Sequence, residues 1–276
     1  MKARIAVWMA LLLVAGAAAQ EREAVTELIQ KLKDKDAKVR AKACDSLAVM
    51  GPRARAAVPA LSEALKDPEA KVRGNAIYAL GQIGAEAKSA VPALAEALKD
   101  KEVDVRRLAA DALGRLGPAA RDAIPALAEA LKDGDIRPFA AFALGRTGPA
   151  ALPALTKAVQ SDDKEIRTDA VIALGMLGPD AVPAMAGALK DKEADVRLNA
   201  AAALGKLGAE AKEAVPALAE ALKDPTAAVR ERAARALGNV GPAAKAAVPA
   251  LQEAAKDKEE SVRQAATQAL AIIEKK

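Results

Sequence analysis

The chain has 276 residues, with 42 Lys and Arg against 37 Asp and Glu, no histidine and one cysteine. Hydrophobic residues make up 52% and aromatics 1%, so the apolar mass is Ala, Leu and Val, which suits closely packed helices better than a sheet core. Without His there is no Ser/His/Asp or Cys/His relay and no imidazole ligand, and a lone Cys builds neither a zinc site nor an intramolecular disulfide.

The chain opens with Lys2 and Arg4, an apolar run from Ile5 to Ala15, and the small residues Ala17-Ala18-Ala19 before Gln20. Residues 1–19 are therefore expected to be a cleaved secretory signal peptide, which implies a secreted or periplasmic protein. The uncharged stretch Ile5 to Ala19 is 15 residues long, short of the roughly 20 that cross a hydrocarbon core. No stable membrane insertion is expected after cleavage. Loss of Lys2 and Arg4 lowers the net charge from +5 to +3. That balance does not imply nucleic acid as a ligand, because a polyanion is held by many clustered cations.

From residue 20 onward the chain repeats itself. The segment Val58 to Asp67 returns as Val91 to Asp100, Ile124 to Asp133 and Val215 to Asp224, each followed by a Val/Ile-Arg pair and then Ala and Leu. The arginines stand at 40, 73, 106, 137, 167, 197, 230 and 263, spaced by 33, 33, 31, 30, 30, 33 and 33. Eight units thus fill residues 20–276 and leave no room for a second domain.

Each unit predicts two helices. The first carries a Leu-x-x-x-Leu face, as at Leu94 and Leu98 or Leu218 and Leu222, and its Val-Pro step at Pro92 or Pro216 should start or kink it. In the second, Val105, Ala109, Ala110, Leu113 and Leu116 fall on one helical face. Asp67, Asp100, Asp191, Asp224 and Asp257 are expected N-caps, with Pro68 and Pro225 at the next position. Gly114 with Gly117, Gly145 with Gly148 and Gly175 with Gly178 read as helix stops, with Pro118, Pro149 and Pro179 just beyond. The recurring Arg at the edge of the core face is expected to pair with the Asp of its own or a neighbouring unit, forming a structural ladder.

The string Asp100-x-x-x-x-Val105-Arg106-x-x-Ala109-Ala110-x-Ala112-Leu113-Gly114-x-Leu116-Gly117-Pro118 resembles the HEAT-like repeat of the type named after phycocyanobilin lyase subunits. The resemblance covers essentially all of residues 20–276. It implies an all-α fold, an α-solenoid of eight stacked helix pairs whose second helices line a concave face, and work that consists of holding a partner protein. Some relatives act on bilin attachment as assemblies, and a HEAT-like hydroxylase binds iron through His-Glu pairs. No residue here matches a lyase site, and the absence of His removes the iron chemistry.

The chain departs from the pattern at its ends, where Ala48 and Ala271 replace the helix glycine, and in the middle, where Ser161 replaces the Asp and the fourth unit is short at Lys132 to Arg137. End units lack a neighbour and are expected to be atypical.

Positions one, two, five and nine after each Arg vary between units and lie opposite the core face. With Trp8 in the leader, the remaining aromatics are Tyr78, Phe139 and Phe142, and all three stand on this stripe. Leu108, Ile172, Met176 and Leu198 extend it, flanked by Arg107, Arg115 and Arg146. That is the composition of a protein-binding hot spot with a polar rim. The candidate partner-binding residues are therefore Tyr78, Leu108, Arg115, Phe139, Phe142, Arg146, Ile172 and Met176. The competing reading tucks these side chains against neighbouring helices.

Other features carry less. Asp133-Gly-Asp135 lacks the calcium-loop pattern and reads as a tight turn with an N-cap, the Glu259-Glu260 pair suits a first helical turn, and Cys44 takes a core position. No catalytic residue, cofactor or metal is expected. The leading function is an exported, non-catalytic scaffold that grips a protein or peptide on its concave face. The alternative is an accessory subunit of a lyase-type enzyme complex. Nucleic-acid binding along Arg107, Arg115, Arg146, Arg232 and Arg235 ranks last, because Asp45, Asp111, Asp169 and Glu231 interrupt that stripe.

Overall fold

A computed structural model gives the protein's structure and describes residues 20–275. The expected signal peptide, residues 1–19, lies outside them. Among the described residues there are helices and no strands, and the helices come in eight pairs. The chain forms two compact units, Met1–Ala126 and Leu127–Lys276. The first holds α1 (20–31), α2 (Ala37–Met50), α3 (Val58–Ala64), α4 (Ala70–Ile83), α5 (Val91–Ala97) and α6 (Val103–Leu116). Helix α7 (Ile124–Ala130) begins at the end of the first unit. The second holds α8 (Arg137–Arg146), α9 (Leu152–Ala158), α10 (Lys164–Leu174), α11 (Val182–Ala188), α12 (Ala194–Leu207), α13 (Val215–Ala221), α14 (Ala227–Val240), α15 (Val248–Ala254) and α16 (Glu260–Ile273). Within each unit the even-numbered helices pack side by side, and α3, α5, α9, α11, α13 and α15 each pack on the even-numbered helix that follows. This is an all-α solenoid.

The first helix of most pairs is a composite. A 3-10 segment such as Gly84–Ala90 runs into the seven-residue α5, and Pro92 sits in its first turn, where a missing N–H leaves no bond unmade. Leu94 and Leu98 are buried, as the repeat predicts. So are Val105, Ala109, Ala110, Leu113 and Leu116 along α6. The core uses Ala wherever second helices approach one another, and glycine where they approach closest. A Cβ on Gly81 would stand 3.3 Å from the Cα of Ala112, and one on Gly238 would stand 3.2 Å from the Cα of Ala269.

That contact corrects the reading of the paired glycines. Gly145 lies inside α8 and Gly114 inside α6, and Gly175 ends α10 in a helical conformation; a Cβ on Gly145 would stand 3.1 Å from the Ala173 oxygen and one on Gly175 3.1 Å from the Ala203 Cβ, so these two are packing residues. The second glycine does the stopping. Gly117, at φ 57°, and Gly178, at φ 82°, occupy the left-handed region that a side chain would strain.

The N-cap assignment also changes. Helix α4 is capped at Glu69, α6 at Glu102, α12 at Glu193, α14 at Thr226 and α16 at Glu259, none through its side chain. The Asp two residues earlier instead closes a turn: Asp100 Oδ1 accepts from the Glu102 N–H at 2.9 Å, and Asp67 Oδ1 accepts from the Glu69 N–H at 2.9 Å. Pro68 and Pro225 consequently precede the N-cap. Asp36 and Asp163 are the described aspartates that cap a second helix directly. At Asp133-Gly-Asp135 the turn is present, but the N-cap of α8 is Ile136.

The conserved turn shape leaves the carboxylate aimed at the preceding pair, and this builds the ladder. Arg73 Nε and Nη2 donate to the two oxygens of Asp100 at 2.7 and 2.8 Å, while Nη1 donates to the backbone oxygens of Asp67 and Pro68 at 2.9 and 3.1 Å. One guanidinium thus ties its own helix entry to the turn of the next pair. Arg40 with Asp67, Arg167 with Asp191, Arg197 with Asp224 and Arg230 with Asp257 repeat the geometry. Arg73, Arg167, Arg197 and Arg230 are buried, so their donors need full satisfaction. No buried side-chain polar atom among the described residues lacks a partner.

Arginine holds the Asp67 and Asp257 carboxyls below their ordinary range. At Asp100, Asp191 and Asp224 burial pushes upward, but the arginine and the turn N–H outweigh it and the carboxyl again lies low. The ladder breaks step where Ser161 replaces aspartate. Ser161 Oγ keeps the turn by accepting from the Asp163 N–H at 3.2 Å, but it offers no charge, and Arg137 reaches Asp169 at 3.2 Å and Asp163 at 3.7 Å instead. Burial raises the Asp169 carboxyl despite that partner.

Candidate binding surface

The large hydrophobic side chains that remain exposed among the described residues are Val49, Tyr78, Phe139, Phe142, Ile172, Met176 and Ile272. Every one occupies a stripe position of the repeat, six on second helices and Met176 just past the end of α10. Core positions cannot account for them, since the Ala and Leu rows of the same helices are already covered.

In the first unit Tyr78 projects from α4 and is 44% exposed. Leu108 of α6 is half-buried, its Cδ1 resting over Gly74, where a Cβ would stand 3.2 Å away. Arg115 lays its stem on Gly81 in the same manner and donates from Nε to Asp111 at 2.7 Å. The Asp111 carboxylate, with a smaller contribution from Tyr78, raises the Arg115 guanidinium further above its ordinary value. Leu108 is therefore partly a packing residue, as the competing reading holds, while Tyr78 is open.

In the second unit Phe139 and Phe142 stand on α8 and are 43% and 52% exposed. Ile172 of α10 is 50% exposed, and Met176, just past that helix, is 40% exposed with its Sδ seated where a Gly145 Cβ would come within 2.7 Å. Arg146 is exposed at the end of α8. Phe139, Phe142, Arg146, Ile172 and Met176 thus come together on two adjacent helices. Tyr78, Leu108 and Arg115 belong to the other unit.

Candidate-residue reasoning passed over one further feature. A groove of about 260 Å³ crosses α12, α14 and α16, with Lys206, Arg232, Arg235, Asn239, Gln268 and Ile272 on its walls. Its floor is Gly205, Ala236 and Ala269, the small residues that let these helices approach. Arg232 and Arg235, three apart on one face, are the signal of it in the sequence, which by itself does not distinguish a groove from a basic edge for nucleic acid.

One further group, the lone thiol, is inert. Cys44 is fully buried, and burial pushes its thiol up to about 12, which withholds the thiolate. Among the described residues no cluster of His, Cys, Asp and Glu is placed to hold a metal ion, and no helix is long and apolar enough to cross a membrane.

The HEAT-repeat profile matches the chain in six overlapping segments, residues 4–74, 25–89, 58–139, 124–193, 170–228 and 183–271. The chain belongs to the HEAT-repeat family. No curated protein matches this HEAT-repeat chain. Among solved structures it is similar to an engineered protein from the Northeast Structural Genomics Consortium, at 25% identity and a TM-score of 0.50, over 91% of this chain and 78% of that one. It is also similar to importin beta, crystallised in an ammonium sulfate condition, at 16% identity and a TM-score of 0.61, over 90% of this chain and 41% of that one. This HEAT-repeat chain spans about two fifths of importin beta's length, and the likeness at that identity is one of fold.

Proposed function

We propose that this HEAT-repeat protein is an exported, non-catalytic scaffold that holds a partner protein or peptide on the face formed by its second helices, the concave face of such solenoids. One observation carries the reading. In each unit the exposed large hydrophobics stand only at the stripe positions of the repeat, although any other exposed helix position could have held them. Aromatic and aliphatic anchors beside arginines are what a protein partner buries at the centre of an interface. The charges support it too. Arg115 and Arg235 are each paired with an acid one helical turn away, and Arg137 draws in Asp169. A nucleic-acid backbone would meet these carboxylates as well as the cations.

The test is affinity capture from the exported protein fraction, using the protein beside a Tyr78→Ala, Phe139→Ala, Phe142→Ala variant that circular dichroism shows to stay helical. The proposal expects a partner held by the first and lost by the second. Equal capture by both places the site off the stripe, and a bound chromophore in the isolated complex would turn the reading toward a lyase subunit.

A further inference from the structure

We propose that the groove across α12, α14 and α16 receives carboxylate side chains of the same partner, so that the bound segment is an extended acidic peptide whose apolar residues sit on the Phe142, Ile172 and Met176 patch. This rests on the scaffold reading above and names the chemistry of its ligand. Lys206 and Arg232 are exposed and, unlike Arg115 and Arg235, make no ion pair among the described residues. Arg235 donates from Nε to Glu231 at 2.9 Å along its own helix and lines the groove as well. An unpaired cation on a groove wall is complementary to an anion.

The groove also suits a peptide more than a lone anion. Glycine and alanine on the floor let a backbone lie close. Asn239 donates to the Gly205 carbonyl at 3.0 Å and keeps its amide oxygen for a peptide N–H, while Gln268 across the groove offers both a donor and an acceptor. Ile272 adds apolar wall. Two free cations are too few for a polyanion, whose affinity grows with each phosphate neutralised.

The spacing follows from the stacking. Helices α10, α12 and α14 are successive neighbours within one unit, and packed helices lie about 8–10 Å apart. An extended chain advances about 3.3 Å per residue. From an apolar anchor on Ile172 or Met176, the acids should follow at about three residues for Lys206 and about six for Arg232 and Arg235.

The experiment uses fluorescence anisotropy on the full chain with a set of short labelled peptides. Each carries two large apolar residues followed by two Glu at varied spacing, with matched Gln and Lys versions. The proposal expects the three-and-six spacing to bind best, at least ten-fold tighter than its Gln version. A Lys206→Glu, Arg232→Glu variant of unchanged circular dichroism should erase that difference. A Phe142→Ala, Ile172→Ala, Met176→Ala variant should weaken Glu and Gln peptides alike. Equal binding of Glu and Gln peptides, both lost in the patch variant, overturns the acidic groove and leaves the scaffold reading standing. Peptide binding indifferent to the patch variant overturns the scaffold reading's anchor instead. No acid-dependent binder in the set, or tighter binding of heparin with a steep salt dependence, overturns the proposal.

Discussion

The ladder edge and the stripe lie on the same second helices and use the same residue types in opposite ways. On the ladder, Arg73 spends its guanidinium on Asp100 and two backbone carbonyls, is buried, and recurs in unit after unit. On the stripe, Arg115 holds one acid on its own helix, remains exposed, and has Lys206 or Asn239 at the same position in other units. Repetition marks what every unit needs in order to stack. Variation marks what only some units need, and it is there that the exposed aromatics collect. The ladder that ties the units together thus runs along one edge of each second helix, and the binding stripe proposed above runs along another.

The contrast can be broken most severely with acid, which attacks all the rungs together. The ladder carboxyls Asp67, Asp100, Asp191, Asp224 and Asp257 lie below their ordinary 3.8 when folded, so the unfolded chain binds protons first on acidification. Their contribution is complete above that ordinary value and is lost as pH falls through the folded values. Asp169, raised by burial, runs the other way and is outnumbered. Urea denaturation from about pH 7 down to about pH 2, the span over which carboxylates titrate, should show a plateau and then a steep fall at the acid end; a flat profile would mean that the rungs add nothing.

Single substitutions sharpen it further. Leu113 is fully buried, and Leu113→Ala should cost about 2–5 kcal/mol by opening a cavity; a change below about 0.5 kcal/mol would mean that the core register is wrong. Arg73→Ala, which strands the half-buried Asp100, should cost about 3 kcal/mol, whereas Arg115→Ala should cost under about 0.5 kcal/mol because its pair is exposed. Equal losses at the two arginines would dissolve the distinction between ladder and stripe. Phe142→Ala, at an exposed position, should likewise shift stability by less than about 0.5 kcal/mol and should still weaken partner capture.

Much of this was legible in advance, for reasons that particular residues show. Leu94, Leu98, Leu113 and Leu116 were read as core because their spacing puts them on one face, and the eight-fold recurrence of that spacing made chance an untenable explanation. The stripe was legible by subtraction, as the positions the core did not claim. Errors fell where one residue type answers to two demands. Asp100 has the look of an N-cap, yet its carboxylate does more by closing the turn and receiving Arg73 across 27 positions of sequence. Gly145 has the look of a helix stop, yet Met176 and the Ala173 carbonyl crowd the place of its missing Cβ. In both cases the competing partner comes from a neighbouring repeat, the preceding one for Asp100 and the following one for Gly145, and no local pattern points to it.

The sequence by itself determined the helical class, the number of repeats, the buried face and the aromatic stripe, because periodicity and burial are local properties that each unit writes out again. The tertiary structure decided which Asp each Arg meets, which glycines exist for contact rather than for turning, how far Tyr78, Phe142 and Ile172 stand open, and that Lys206 and Arg232 share a groove. These are distances between neighbouring repeats, set by how closely Gly and Ala let two helices approach.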